Sequence, residues 1–344
     1  MATTSRTVRF HAYGGPEVLR IEDETVGEPG PGELRIRIDA IGLNRAEVLF
    51  RAGVYIEDVK EFPARLGAEA AGAVEAVGAG VTGFAPGDPV SVVPAFSMNA
   101  YGVYAERAIV PATAVLHRPE GLDAVAGAAV WMPYLTAYGA LVQVGGMTAG
   151  DTVVVTAASS SVGLAAIQIA RRVGAVPIAT TRTGAKKAAL LAAGAAEVIV
   201  DEDKDLVERV RAATGGRGAE FVFDAVAGPG VLDLGRVVAP GGTLFVYGAL
   251  SGLPTPYPGF DLGMPALNMR TYTLFETTHD AERLRRAAAF VSSGLRTGAF
   301  RPVVDRTFPL AEIADAHRYL EAGAQIGKIV VTVDHDAEPA ATPA

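Results

Sequence analysis

The segment TVVVTAASSSVGLAAIQIA, residues 152–170, has the residue types and spacing of a phosphate-binding turn between a strand and a helix. In the spacing G-x-G-x-x-G, the glycines serve a tight turn, backbone access to a pyrophosphate and helix–strand packing. Ala158 and Ser160 stand at the first two glycine positions, and Gly163 stands at the third. A plain βα turn of small residues is the alternative. Because both replacements are small and a helix N-terminus attracts phosphate, we predict a pyrophosphate site formed by Ser160, Ser161, Val162 and Gly163.

The end of the next apolar run indicates which dinucleotide binds. A protein selective for NAD places Asp or Glu about 20 residues past the turn, on the ribose 2′-hydroxyl. This chain has ATTRTGAKK, residues 179–187, with no carboxylate. A solvated basic helix start is the alternative, but Lys in a first helical turn opposes the helix dipole unless an anion binds there. We therefore predict NADPH, with Thr181, Arg182 and Lys186 around the 2′-phosphate and the choice between Lys186 and Lys187 left open.

Alternating strands and helices must position these residues. Apolar runs in TVVVTA, VPIAT, EVIV, EFVFDAV and TLFVYGA are separated by segments with helical spacing. This pattern predicts βαβ units and a parallel sheet covered on both faces. The first third of the chain has short β-like runs between Gly and Pro turns. Near the C-terminus, residues 300–333 predict a strand, a helix and a strand that return to the first domain.

The length, charge and composition of the chain argue against several classes of function. A chain of 344 residues predicts two domains, and a net charge of −8 argues against binding to nucleic acid. There is no Cys, and the five His residues are scattered without ligand spacing, so we predict no metal. The N-terminus lacks the apolar run of a signal peptide, and we expect the apolar runs to fall short of a membrane span. A cytoplasmic protein is the simplest expectation.

Several motifs resemble the zinc-independent, quinone oxidoreductase-like branch of the medium-chain dehydrogenase/reductases. They occur in order along nearly the whole chain as GGPEVL, PGPGELRIRIDAIGLNRAEVLFRAGVY, LGAEAAGAVEAVGAGV, YAERAIVPA, LTAYGAL, AASSSVG and IGKIVV. The resemblance implies an α/β protein with a Rossmann-type doubly wound sheet over residues 128–276. It also implies a β-rich, GroES-like catalytic domain built from residues 1–127 and 277–344. The branch more commonly has A-x-G-G-V-G in the turn, from which Ser160 and Ser161 depart.

The resemblance also implies a substrate cleft between the domains and roles for individual residues. Zinc-dependent relatives carry Cys at the position of Asn44 and G-H-E where this chain has Gly67, Ala68 and Glu69, which agrees with the prediction of no metal. Asn44 and Tyr55 match the substrate side, where either side chain could stabilise an enolate oxygen. Capping of a turn for Asn44 and a partly buried aromatic for Tyr55 are the alternatives. Further residues match positions along the cofactor: Thr136, Gly248, Ala249, Phe275 and Lys328.

Without zinc, alcohol oxidation lacks a Lewis acid, whereas an activated acceptor still accepts hydride. The resemblance therefore implies an NADPH-dependent reductase of an apolar quinone or α,β-unsaturated carbonyl compound. A dedicated enoyl reductase of a biosynthetic pathway is a related alternative, and a non-catalytic NADPH-binding redox sensor is a different one. The family commonly pairs subunits through the edge of the cofactor-domain sheet, so the resemblance also implies a homodimer.

Overall fold

The computed structural model describes residues 3–201 and 206–335, which divide into two units. The first unit contains the described residues up to Trp131 and those from Val304 onward, so its chain is discontinuous. The second unit is the continuous stretch Met132–Val303. This division agrees with the predicted two-domain organisation, although the borders differ.

The N-terminal part of the first unit is mainly β-structure. Its strands and helices are β1 (Thr3–Phe10), β2 (Leu19–Val26), β3 (Glu33–Gly42), α1 (Arg45–Ala52), β4 (Ala64–Arg65), β5 (Ala70–Val77), β6 (Pro89–Val92), β7 (Arg107–Pro111), β8 (Val115–His117) and α2 (Ala124–Gly127). Strand β1 pairs antiparallel with β2 and β4 in a three-stranded sheet. Strand β3 pairs antiparallel with β5 and β7 in a larger sheet. Its side chains Leu34, Ile36 and Ile38 are fully buried in the core of the unit.

The second unit alternates strands with helices. Its elements are α3 (Trp131–Tyr138, which begins at the border), a π-helix (Gly139–Val144), β9 (Thr152–Val155), α4 (Ser161–Val173), β10 (Val176–Thr181), α5 (Lys187–Ala192), β11 (Glu197–Val200), α6 (Leu206–Ala213), β12 (Ala219–Asp224), α7 (Val231–Val237), β13 (Val238–Val246), β14 (Asn268–Thr271), α8 (Phe275–Thr278) and α9 (Ala281–Arg296). The six strands are all parallel and run in the order β11-β10-β9-β12-β13-β14.

This strand order is that of a Rossmann sheet, and it confirms the predicted fold class. In such a sheet the order reverses beside the first strand, here between β9 and β12, and ligands bind at the carboxyl ends of the strands there. The strands predicted from the five apolar runs are all present. Strand β14 is an additional sixth strand at the edge of the sheet, and its residues are polar or partly exposed.

The chain returns to the first unit through β15 (Val304–Pro309), α10 (Ile313–Ala322) and β16 (Lys328–Thr332). Strand β16 pairs antiparallel with β3 and parallel with β15, which confirms the predicted strand, helix and strand. The predicted second border lies between 276 and 277, whereas the compact second unit extends to Val303 and includes α9. There Phe290 stacks on Tyr138 with ring centroids 4.5 Å apart, and Arg172 donates to Ser293 over 2.8 Å.

One helical stretch has the length and composition of a membrane span. It covers residues 124–144 with a mean hydropathy of 1.4, and 72% of its most apolar window is buried within the protein. The expectation that every apolar run falls short of a membrane span is therefore wrong for this stretch. Its burial is that of a core helix, and the expected cytoplasmic location stays a prediction.

Candidate cofactor site and buried polar cluster

The turn between β9 and α4 has the geometry of an anion site. Ser160 is the N-cap of the 13-residue helix α4, and its hydroxyl oxygen accepts the Gly163 N–H over 3.0 Å. The first N–H groups of a helix have no partner within the helix, which leaves those of Ser161 and Val162 available. The prediction that the Gly163 amide itself binds phosphate does not fit, because that N–H already donates to Ser160. The Ser160 hydroxyl keeps its own proton to donate.

Gly163 is required by the close approach of α4 to the preceding turn. A Cβ at Gly163 would lie 2.6 Å from both Cα and the carbonyl oxygen of Ala158. This contact agrees with the packing role predicted for the third glycine of the motif. Ala158 itself is fully buried, and the left-handed residue of the turn is its neighbour Ala157, with φ of 45°. The chain thus makes the tight turn one residue before the position predicted from the motif.

Basic side chains lie past the end of β10, as the sequence predicts. The Lys186 ammonium donates to the Ser159 hydroxyl over 3.2 Å, so it lies directly beside the phosphate turn. Arg182 is exposed, and its charge lowers the pKa of Asp201, although burial of Asp201 has the larger, opposite effect. The sequence segment itself lacks a carboxylate, but folding brings one near Arg182. Thr181 ends β10 and is buried.

A buried carboxylate organises the neighbouring loop at the switch point. Asp224, at the end of β12, is fully buried and accepts hydrogen bonds from the Thr156 hydroxyl (2.6 Å) and from the N–H groups of Val226 (3.0 Å) and Ala227 (2.8 Å). The sequence analysis missed Asp224. The sequence does indicate this residue, because Asp224 is a charged residue at the end of the apolar run EFVFD, which forms a strand.

The end of β13 also approaches this loop closely. A Cβ at Gly248 would lie 2.6 Å from the Ala225 carbonyl oxygen, whereas Ala249 is exposed. Both residues therefore lie at the carboxyl edge of the sheet, where the cofactor was predicted to pass. Tyr247, which the sequence analysis did not select, precedes them.

Two other predicted cofactor residues already have partners in the second unit. The Thr136 hydroxyl donates to the Met132 carbonyl within α3 over 2.6 Å, which is the backbone bond typical of a buried helical Thr. The Phe275 N–H donates to the Thr273 hydroxyl over 3.1 Å, and the Phe275 ring stacks on His279. Their roles beside a nicotinamide stay predictions.

The first unit contains a buried polar cluster of four residues: Asn44, Glu47, Glu69 and Lys328. The Lys328 ammonium donates to Glu69 and to the Asn44 side-chain oxygen, both over 2.5 Å. Lys328 is only 1% exposed, and Glu69 is fully buried. The predicted contact of Lys328 with cofactor phosphates does not fit this position, because its ammonium is enclosed and paired with a carboxylate.

Asn44 serves as the cap of α1. Its backbone N–H donates to the Glu47 carboxylate over 2.8 Å, and its side-chain amide donates to the Gly42 carbonyl over 3.0 Å. The amide oxygen faces Lys328, so both ends of the Asn44 side chain are engaged within the cluster. The prediction that Asn44 donates to a substrate oxygen is therefore not supported, and the capping alternative describes its contacts.

One member of this cluster, Glu47, and the neighbouring Tyr55 have shifted pKa values. Burial raises the pKa of Glu47 to about 7, against the opposing effects of Lys328 and of hydrogen bonds. Burial also raises the pKa of Tyr55 to about 12, with a further contribution from the Glu47 charge. The Tyr55 ring packs edge-on against Phe50, with ring centroids 6.0 Å apart. Tyr55 therefore keeps its proton at neutral pH and remains able to donate a hydrogen bond.

The donor set near the cluster does not fit a zinc ion. Zinc binds three or four nitrogen, sulfur or oxygen ligands, yet the sequence has no Cys and Ala68 offers no ligand atom. Within residues 3–201 and 206–335, no group of three His, Asp or Glu side chains is arranged to hold a metal ion. The positive charge that contacts Asn44 and Glu69 is the Lys328 ammonium.

Comparisons with known proteins match both units. The family profile described as "Alcohol dehydrogenase GroES-like domain" matches residues 30–120, and the profile described as "Zinc-binding dehydrogenase" matches residues 193–331. A quinone oxidoreductase from Pseudomonas aeruginosa is 34% identical over 95% of this chain and 99% of its own length. A 2-haloacrylate reductase from a Burkholderia species is 32% identical over 94% and 97%.

A solved structure extends the similarity to three dimensions. The Escherichia coli quinone oxidoreductase complexed with NADPH has a TM-score of 0.88 and 29% identity, covering 95% of this chain and 99% of that one. These matches run across both units and leave no long segment of either protein uncovered.

Proposed function

Because the chain belongs to the quinone oxidoreductase branch of the medium-chain dehydrogenase/reductases, we propose that it is an NADPH-dependent reductase of quinones or α,β-unsaturated carbonyl compounds. The observation that carries this proposal is the turn from β9 to α4. There Gly163 allows α4 to pack closely against the preceding turn, and the Ser161 and Val162 N–H groups are available to bind phosphate. The names of two relatives, quinone oxidoreductase and 2-haloacrylate reductase, both refer to compounds with a conjugated double bond, which supports the same reaction class.

Residues of the second unit would hold the dinucleotide. The Ser161 and Val162 N–H groups and the Ser160 hydroxyl would bind the pyrophosphate at the positive end of α4. NADPH, when bound, supplies the hydride, and the protein supplies orientation and electrostatic stabilisation.

Selection of NADPH over NADH would depend mainly on Lys186. Its ammonium lies beside Ser159 in the phosphate turn, whereas Arg182 is close to the Asp201 carboxylate. We propose that a 2′-phosphate at the end of β10 would contact the Lys186 ammonium. Arg182 would contribute less than an unpaired guanidinium does.

On the substrate side, Tyr55 is the stronger of the two predicted residues. Its hydroxyl remains protonated and has no hydrogen bond among the described residues, whereas Asn44 is fully engaged. We propose that Tyr55 donates a hydrogen bond to the acceptor oxygen as negative charge develops there.

Steady-state oxidation of NADPH with a panel of quinones and a panel of enones tests this function. Turnover with either panel, and much lower activity with NADH, is expected. Turnover with enones only would favour the dedicated enoyl reductase. Tight NADPH binding without turnover of any acceptor would refute the reductase and favour a redox sensor.

A homodimer formed through the edge of the second unit's sheet is part of the proposal. Strand β14 ends the sheet, and the segment before it exposes Tyr257 (72%), Phe260 (87%) and Met264 (69%). Exposed sheet edges and apolar patches are typical of association sites. Light scattering coupled to size-exclusion chromatography should give twice the mass of one chain, and Phe260→Asp should shift that mass toward the monomer.

A further inference from the structure

The loop that carries Tyr55 has no regular structure of its own. Residues 53–63, the Tyr55 loop, connect α1 to β4 without a helix or a strand. At its start the Val54 N–H donates to the Leu49 carbonyl over 3.0 Å. After that, no backbone group of residues 55–62 bonds to another backbone group among the described residues. The conformation of the Tyr55 loop therefore depends on bonds from side chains.

The Asn99 side chain forms two of these bonds. Its Oδ1 accepts the Lys60 N–H over 2.9 Å, and its Nδ2 donates to the Asp58 carbonyl over 2.9 Å. The two bonded groups lie on either side of Val59, so one side-chain amide pairs with the loop backbone as a neighbouring strand would. The Val59 N–H donates to the Tyr13 hydroxyl over 3.3 Å, and the Val59 side chain packs against the core of the first unit.

Ser97 connects the same two segments at a second point. Its hydroxyl donates to the Glu57 carboxylate over 2.7 Å, and its oxygen accepts the Asn99 N–H over 3.1 Å. The neighbours of Ser97 in sequence, Phe96 and Met98, are both buried in the core of the first unit. Ser97 and Asn99 therefore belong to a segment that is anchored in the core, and they hold the Tyr55 loop against it.

These contacts also set the direction of the Tyr55 side chain. Exposure alternates along the Tyr55 loop: the side chains at 55, 57 and 59 are partly buried, whereas those at 54, 56, 58 and 60 are exposed. In an extended segment, a slip of one residue moves each side chain to the opposite face. Bonds to residues 57, 58 and 60 therefore keep the Tyr55 ring on the inner face, against Phe50.

We propose that Asn99 is a positioning residue for the reaction and acts, together with Ser97, by fixing the register of the Tyr55 loop. Neither side chain has to touch the substrate or the cofactor. A group displaced by about 1 Å from its productive place can cost a large factor in rate, which makes such a hold consequential. The inference rests on the role of Tyr55 in the proposed function, and it does not depend on which acceptor is reduced.

A double-mutant cycle on kcat tests the inference. The variants are Asn99→Ala, Tyr55→Phe and the double variant, measured at saturating NADPH with the best acceptor of the quinone and enone panels. Ser97→Ala is a second variant, which leaves the Asn99 amide in place. The matched control is Asp88→Ala, which removes a side-chain bond to the Ala85 N–H (2.8 Å) from another loop of the same unit. Hydrogen–deuterium exchange of peptides covering residues 54–62 reports the hold on the loop independently of activity.

Asn99→Ala should speed exchange in residues 54–62 and lower kcat about three- to tenfold, the range of one lost neutral hydrogen bond. The NADPH dissociation constant should not change. In the Tyr55→Phe background the same substitution should leave kcat unaltered, because the side chain that it positions no longer donates a proton. Ser97→Ala should change exchange and kcat in the same direction, and Asp88→Ala should change neither.

A kcat loss of equal size in both backgrounds would indicate a merely structural role for Asn99 and overturn the inference. Unchanged exchange or unchanged kcat in Asn99→Ala would overturn it as well. If Tyr55→Phe alone retains full kcat, the role of Tyr55 fails and the inference with it, while the reductase activity stands. Failure of the unsubstituted protein to reduce any acceptor would instead overturn the proposed function itself.

Discussion

Removing the Lys328 ammonium should destabilise the protein strongly and in a pH-dependent way. In Lys328→Met, the buried Glu69 carboxylate loses an ion pair of 2.5 Å, in a place where Lys328 is 1% exposed and Glu69 fully buried. Breaking a buried pair by removing one partner costs about 3–5 kcal/mol, because the remaining charge is left without compensation. Glu47 lies in the same cluster, so two carboxyl groups then share the site without a cation.

The sign of the pH dependence follows from Glu47. Its pKa in the folded protein, about 7, lies above its ordinary value of 4.5, and Lys328 is one of the groups that hold it down. The stabilisation associated with its neutral form is complete below the ordinary value and is lost as the pH rises through the folded value. Without Lys328 the pKa of Glu47 rises further. The loss caused by Lys328→Met should therefore be smaller in acid, by at most about 1.4 kcal/mol per pH unit for each proton bound.

Urea unfolding provides the measurement, followed by the fluorescence of Trp131, the single and fully buried tryptophan. Unfolding free energies at about pH 5.5 and about pH 8.5 should differ more in Lys328→Met than in the unsubstituted protein. Adding Glu69→Gln should recover part of the loss, since it removes the unpaired charge. The exposed Lys60→Met control should stay within about 0.5 kcal/mol. An equal loss at both pH values, or no recovery from Glu69→Gln, would refute the electrostatic reasoning.

The other predictions concern the cofactor and substrate residues. Gly163→Ala places a Cβ 2.6 Å from Ala158, so we expect a loss of about 1–3 kcal/mol in urea unfolding and weaker NADPH binding by fluorescence titration. Unchanged stability would contradict the contact. Lys186→Ala should weaken NADPH at least about tenfold and leave NADH unaffected, whereas the exposed Lys187→Ala should change neither. Equal losses for both nucleotides would rule out a contact with the 2′-phosphate. Tyr55→Phe should lower kcat about ten- to hundredfold without changing the NADPH dissociation constant, and an unaltered kcat would remove Tyr55 from the mechanism.

Local pattern was sufficient to predict most of the second unit. The strands there are short apolar runs, and each lies between segments of helical spacing, so period and length alone distinguish them. Strand β14, Asn268–Thr271, could not be predicted in this way, because an edge strand need not be apolar. Helix α9 is recognisable as a helix, but its pattern does not indicate which unit its apolar face packs against. The predicted second border and the border of the compact unit therefore differ by the length of this helix and the residues that flank it.

The residues of the candidate site also divide into those that could be predicted from nearby sequence and those that could not. Gly163 and Ser160 were predictable because their roles depend on neighbours a few residues away in the same turn. The partners of Lys328 were not, since Glu69 is 259 residues distant in sequence and Asn44 is 284. Family resemblance assigned Lys328 to the phosphates, and only the three-dimensional pairing of β16 with β3 shows the buried cluster.

The discontinuous chain of the first unit has a consequence for synthesis on the ribosome. Strand β3 and Glu69 emerge early, but their partners on β16 are made only after the whole of Met132–Val303. Domains fold as units while the chain grows, so the continuous second unit can close first. Until Lys328 leaves the exit tunnel, the Glu69 carboxylate of the nascent first unit has no Lys328 ammonium beside it. The sheet that contains β3 also lacks β15 and β16 until then. The order of translation thus makes the first unit complete its fold after the second unit, although its chain is synthesised first.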